Sequence, residues 1–163
     1  MRRLPPVAIA LGIAGLTPFL VCGWGTLALP SPDSERFLAA LLAYGAVILA
    51  FLGAVHWGFV LESPEPDAMA SLTRKDRPRL VLGVLPALIG WAALLMPLLL
   101  SAEAGLAVLI VGHVATVIME AQLRRRALVP PGYMWLRWGL SVVTIVVLVT
   151  VLTLRLVGAK IIF

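Results

Sequence analysis

The sequence predicts an all-α membrane protein: a bundle of five transmembrane helices, with the N-terminus cytoplasmic and the C-terminus on the outer side. Three observations carry this expectation. The 163 residues are 61% hydrophobic and only 13% charged, too little polar surface for a water-soluble domain of this length. The charges lie between apolar runs of about the 20 residues that a helix needs to cross a hydrocarbon core roughly 30 Å thick. The basic residues are distributed unevenly over the segments joining those runs.

The first run, about 7–29, follows Arg2 and Arg3. It is much longer than the roughly 7–15 apolar residues of a secretory signal, and no small-residue cleavage site follows it, so it reads as a retained span. The second, about 37–61, contains no charged residue after Arg36. The third, about 80–100, carries Pro86 and Pro97, which make irregularity or a re-entrant turn the alternative to a full crossing. The fourth, about 105–123, is the most polar, holding His113, Thr116 and Glu120, and a short link around 101–104 suits a tight hairpin with the third. The fifth covers about 136–157. The longest connection, 62–79, is a mixed-charge loop too short for a domain of its own, so residues 1–163 read as one helical membrane domain.

With a cytoplasmic N-terminus, ten of the 13 basic residues fall inside: Arg2, Arg3, Arg74, Lys75, Arg77, Arg79, Arg124, Arg125, Arg126 and Arg137. Arg36, Arg155 and Lys160 fall outside. This bias is the positive-inside pattern, and the net charge of +5 then reports topology; it does not suggest a nucleic-acid partner. Arg124, Arg125 and Arg126, with Trp135 and Trp138, form an interfacial anchor facing anionic headgroups. The lone Cys22 excludes an internal disulfide and reads as a packing residue.

Lipid tails are as apolar as leucine, so helices in a membrane associate through close packing of small residues. The second span offers Ala46, Ala50, Ala54 and Gly58 at four-residue intervals, widened by Gly45 and Gly53. Gly12 and Gly15 on the first span and Gly83, Ala87 and Gly90 on the third are matching surfaces. The second span is therefore expected at the centre of the bundle.

Polar residues within the spans are the candidate site. His56, in "GAVHWG", reads either as an imidazole bonded to a neighbouring helix or as a ligand or proton carrier. His113, Thr116 and Glu120 share one helix face, where they could form a relay or contact a polar ligand with Tyr44. Glu120 is equally expected to pair with Arg124 one turn on. A haem held between His56 and His113 is disfavoured. Their distances from opposite boundaries, roughly 7–8 Å and 12 Å, leave on the order of 10 Å of vertical offset.

No hydrolytic, phosphate-binding or CxxC motif is present, and no metal site is expected. No cofactor is required, although a quinone, a lipid or haem is compatible with the intramembrane His, Glu and Tyr. The stretches "LGIAGLTPF" (11–19) and "YGAVILAFLGAVHWG" (44–58) resemble segments of the transmembrane protein 69-like family, small multi-pass proteins of bacterial and mitochondrial membranes. Glu120 and "YMWLR" (133–137) are similar to further family features. The resemblance implies a multi-pass protein of the bacterial inner membrane or a related organelle membrane, and no established activity. With the composition it leads to two expectations. The first is a non-enzymatic accessory or assembly factor that associates with other membrane proteins or with itself in the lipid bilayer. The second is a binding protein or carrier for a quinone, lipid or haem-like ligand.

Overall fold

The computed structural model describes residues 6–61, 77–125 and 131–158. The described residues form six helices: α1 (Pro6–Ala14), α2 (Thr17–Ala28), α3 (Asp33–Leu61), α4 (Arg77–Leu99), α5 (Ala102–Arg125) and α6 (Pro131–Val157). Helices are the only regular structure among the described residues. By length and composition, four stretches can cross a membrane: Pro6–Ala28, Asp33–Val55, Ala102–Gln122 and Trp135–Val157. A fifth apolar stretch, Gly83–Leu99 within α4, is shorter.

The expected first span is two helices in line, separated at Gly15 and Leu16. Pro18 lies in the first turn of α2. It has no N–H to offer Ala14, and its ring opposes a continuous helix. The chain tightens there, with Leu16 N donating to Ile13 O at 3.0 Å before α2 resumes through Leu20 N to Leu16 O. Pro86 and Pro97, by contrast, lie within a continuous α4, so the third segment contains no re-entrant turn. The second span begins earlier than expected, at Asp33, and places Asp33 and Glu35 in its first turn, where carboxylates favour the positive end of the helix dipole.

Helix α3 is the hub, packing on α2, α4 and α5, while α6 closes on α5, α2 and α1. Leu41, Leu49, Leu106, Leu109 and Leu148 are completely buried where these helices meet, and Cys22 packs against the same cluster. At the α2–α3 turn, Ser34 Oγ donates to Thr26 O and Thr26 Oγ1 to Cys22 O, both at 2.7 Å.

The small residues of α3 mediate packing, but not along the expected line. Ala46 is buried against Gly90, and Gly53 against Gly83, whose carbonyl oxygen would lie 2.6 Å from a Cβ placed on Gly53. Gly45 receives Leu109 of α5. Ala50 is partly buried, but Ala54 and Gly58 face outward, and Gly58 meets nothing within 4 Å. A four-residue interval overshoots a 3.6-residue turn by about 40°, so by Gly58 the stripe has rotated about 120° from Ala46. The interface instead follows Ala46, Gly53 and Trp57, whose indole packs over Gly83. On the first span, Gly12 lies under Leu140 of α6 and Gly15 sits at the helix break.

Two substitutions separate these faces. Gly53→Ala is expected to lower stability by about 1–3 kcal/mol through overpacking, because the obstructing atom is backbone. Gly58→Ala is expected to be neutral or stabilising through helix propensity. Thermal unfolding of both variants in mild detergent checks the contrast.

Candidate functional site

The intramembrane polar residues do not converge on one point; they fall into three groups at different levels. The middle group surrounds the break in the first span. Tyr44 Oη donates to Gly15 O at 2.9 Å, supplying a partner to a carbonyl at the discontinuity. Phe19, one turn further on, is fully buried, with its ring edge-on to Tyr44 at 5.0 Å and to His113 at 6.3 Å. Tyr44 and His113 are thus brought together through Phe19.

His113 is 1% exposed. Its Nδ1 lies 3.0 Å from Leu109 O, and a carbonyl can only accept, so Nδ1 carries the proton and donates. In the neutral ring Nε2 is then a lone-pair acceptor. Among the described residues no partner reaches it, although it is buried. Thr116 Oγ1 donates to His113 O at 2.8 Å, which commits its proton within α5.

The second group is an ion pair inside the bundle. The partner of Glu120 among the described residues is on another helix. Both of its carboxylate oxygens engage Arg137 of α6, through Nε and NH2. Arg137 also donates from NH2 to Leu52 O of α3 at 3.3 Å, so three helices are tied by one guanidinium. The two side chains are 3% and 5% exposed. Arg137, counted above among the basic residues of the inner side, is therefore turned into the bundle. A planar fork can meet both oxygens of a carboxylate from across an interface, whereas an i+4 contact within α5 would leave Arg137 buried without an anion.

The third group lies at the opposite end. Arg155 of α6 donates to Glu103 of α5 at 2.9 Å and to Glu35 of α3 at 3.0 Å. Arg155 and Glu35 had no site role in the sequence reading. Between the two ion-pair groups α5 and α6 run in antiparallel register. Four residues separate Glu120 from Thr116 and Arg137 from Ser141. Three more reach His113 and Thr144, four more Leu109 and Leu148, and three more Leu106 and Val151. All of these residues are buried. The matching 4-3-4-3 intervals are the sequence signal for this pairing, readable once the two helices are known to be neighbours.

The side chain of His56 lies outside the described residues, as do those of Arg124 and Arg125 at the end of α5 and the whole of Arg126. Trp57 Nε1 donates to Leu80 O at 3.1 Å, tying α3 to α4. Trp135 is exposed and Trp138 partly buried, their rings edge-to-face at 5.9 Å. Among the described residues no group of three His, Cys, Asp or Glu side chains could hold a metal ion.

The family described as "Protein of unknown function (DUF3429)" matches residues 4–153, nearly the whole chain and all of the groups above except Arg155. The chain belongs to the DUF3429 family. It is also similar to "Transmembrane protein 69" of Xenopus tropicalis, 35% identical over 95 residues, which cover 58% of this chain and 35% of the frog protein. "Transmembrane protein 69" of Mus musculus is 34% identical over 95 residues, covering 56% of this chain and 34% of the mouse protein. The matched segment thus spans about a third of the length of these curated relatives. No solved structure matches the chain.

The central ion pair yields a direct test. Arg137→Ala or Glu120→Ala alone strands a buried charge and is expected to cost about 3–5 kcal/mol. The joint replacement Glu120→Leu with Arg137→Met is expected to recover most of that loss. Unfolding in detergent of the two single variants and the double variant measures the coupling. Tyr44→Phe, which removes only the hydroxyl at the helix break, is expected to cost about 0.5–1.5 kcal/mol in the same assay.

Proposed function

We propose that this multi-pass membrane protein is a non-enzymatic accessory or assembly factor that associates with other membrane proteins. The observation that carries this reading is the commitment of the interior's charged groups to the bundle itself. Glu120 and Arg137 face each other, and Arg137 reaches the α3 backbone. Arg155 joins Glu35 and Glu103. The outer surfaces of the helices present large apolar side chains, including Trp24 and Trp91 at 56% and 61% exposed. Such surfaces suit lipid and the helices of other proteins, and the small-residue and aromatic steps on them give shape for specific packing.

The reading includes an orientation. With Arg137 drawn into the bundle, Arg2, Arg3, Arg74, Lys75, Arg77, Arg79, Arg124, Arg125 and Arg126 remain for the segments at the N-terminal end. Their excess there favours a cytoplasmic N-terminus and an outer C-terminus in a bacterial inner membrane.

A second reading, a binding protein or carrier for a quinone or lipid, is favoured by one feature. An open apolar groove of about 400 Å³ between α3 and α4 is lined by Trp57, Leu80, Val81, Val84, Leu85 and Leu88. Its lining suits an acyl or isoprenoid tail.

Purification from native membranes in mild detergent, followed by native mass spectrometry, separates the readings. The first expects a membrane-protein partner in fixed stoichiometry. Free protein carrying bound quinone or lipid would replace it with the second, and bare monomer would remove both.

A further inference from the structure

We propose that the buried face between α5 and α6 is a water-binding seam, running from the Glu120–Arg137 pair to His113 Nε2 at mid-membrane. The seam requires no partner protein and is independent of the accessory reading. Its inner end is fixed by chemistry. The Nδ1 proton of His113 is committed to Leu109 O, so Nε2 presents a lone pair and needs a donor. No donor among the described residues reaches it in a site where the residue is 1% exposed. An acceptor left unsatisfied in such a place carries its full desolvation penalty, and a water molecule is the smallest donor that removes it.

The register of the two helices supplies the other partners that such water needs. Counted along the two helices from the ion pairs that join them, Thr144 falls level with His113, and Ser141 level with Thr116, one turn closer to Glu120 and Arg137. All four side chains are buried. Thr116 has given its proton to His113 O, which leaves its oxygen able to accept. The hydroxyls of Ser141 and Thr144 can donate or accept. A bound water between these levels therefore finds the two to four polar partners that hold buried water in place.

Both limits of the seam are visible. Beyond His113 the paired positions are Leu109 with Leu148 and Leu106 with Val151, at most 1% exposed, which closes that direction to polar species. At the other limit, the bidentate Glu120–Arg137 pair stands between the seam and the N-terminal end of the bundle. Water entering from that end has to pass the ion pair. Tyr44 of α3, which meets the same Phe19 ring as His113, has its hydroxyl committed to Gly15 O. It does not compete as the donor to Nε2. Phe19, Leu106, Leu109 and Leu148 nearby are each at most 1% exposed, which fits an occupant as small as water.

The chain contains only two histidines, which makes the test direct. The full chain carrying His56→Gln, labelled with 15N in the imidazole and placed in lipid bilayers, gives a single histidine signal. Magic-angle-spinning NMR is expected to show Nδ1 protonated, Nε2 unprotonated, and magnetisation transfer from water to the ring. Thr144→Val should remove most of that transfer, whereas Thr144→Ser should retain it. Val142→Ala, on the outward face of α6, should leave it unchanged. Thr144→Ala replaces the valine variant if the methyl that takes the place of the hydroxyl prevents folding. A ring protonated at Nε2 would overturn the proposal, as would a resolved His113 signal without water transfer. Equal transfer in the serine and the valine or alanine variants would do the same.

Discussion

The arrangement of the bundle depends on the contact between Glu120 and Arg137. Each side chain alone would be costly in hydrocarbon, at least about 2.5–3.5 kcal/mol for an arginine at mid-helix and more without local relaxation. Together they exchange two unfavourable burials for one bidentate contact, and Arg137 adds a bond to the α3 backbone. The net stabilisation of such a pair over an apolar replacement is small or negative. Its effect is on the choice of structure. Packing of leucine against leucine tolerates a helix slipping by a turn or rotating on its axis, whereas a buried guanidinium facing one carboxylate does not.

That constraint is repeated at the far end. The Arg155 cluster lies 17 residues along α5 from Glu120, measured to Glu103, or about 26 Å at 1.5 Å per residue. The two groups therefore clamp α5 and α6 at points separated by most of the hydrocarbon thickness. With both ends fixed, the four intervening levels follow without further freedom, and His113 and Thr144 are placed at one level as a consequence. Helix α3 contributes to both clamps, through Leu52 O and Glu35. Its central place thus rests on polar contacts at its two ends as well as on Gly45, Ala46 and Gly53 between them.

The sequence made the spans legible because each apolar run is bounded by charges or prolines, and solvent alone decides where such a run can reside. The shared face of His113, Thr116 and Glu120 was legible for a similar reason, since helical spacing is local. The partner of Glu120 was not. Arg124 is near in sequence and has the favourable order for an i+4 pair, while Arg137 sits beside two tryptophans that suggest a membrane boundary. Choosing between them requires knowing that α5 and α6 are antiparallel neighbours in this register, which is tertiary information. The error over Ala54 and Gly58 has a geometric source. A four-residue stripe looks continuous on paper but turns out of an interface within three steps, and Trp57 takes the position that Gly58 was expected to fill.

The break in the first span shows how local and tertiary constraints combine. Pro18 alone leaves the Ala14 carbonyl without its helical donor, and irregular backbone at membrane depth is tolerated where protein surrounds it. Here Phe19 fills the space below the break, and the Tyr44 hydroxyl reaches the adjacent Gly15 carbonyl. Both depend on α3 standing close, which in turn depends on the glycines and alanine of its opposite face seating against α4. The imidazole of His113 packs on the same Phe19 ring. A weakness introduced by one proline is thus covered by residues from three helices. The level at which it is covered is also the level at which the polar face of α5 ends and its closed leucine face begins.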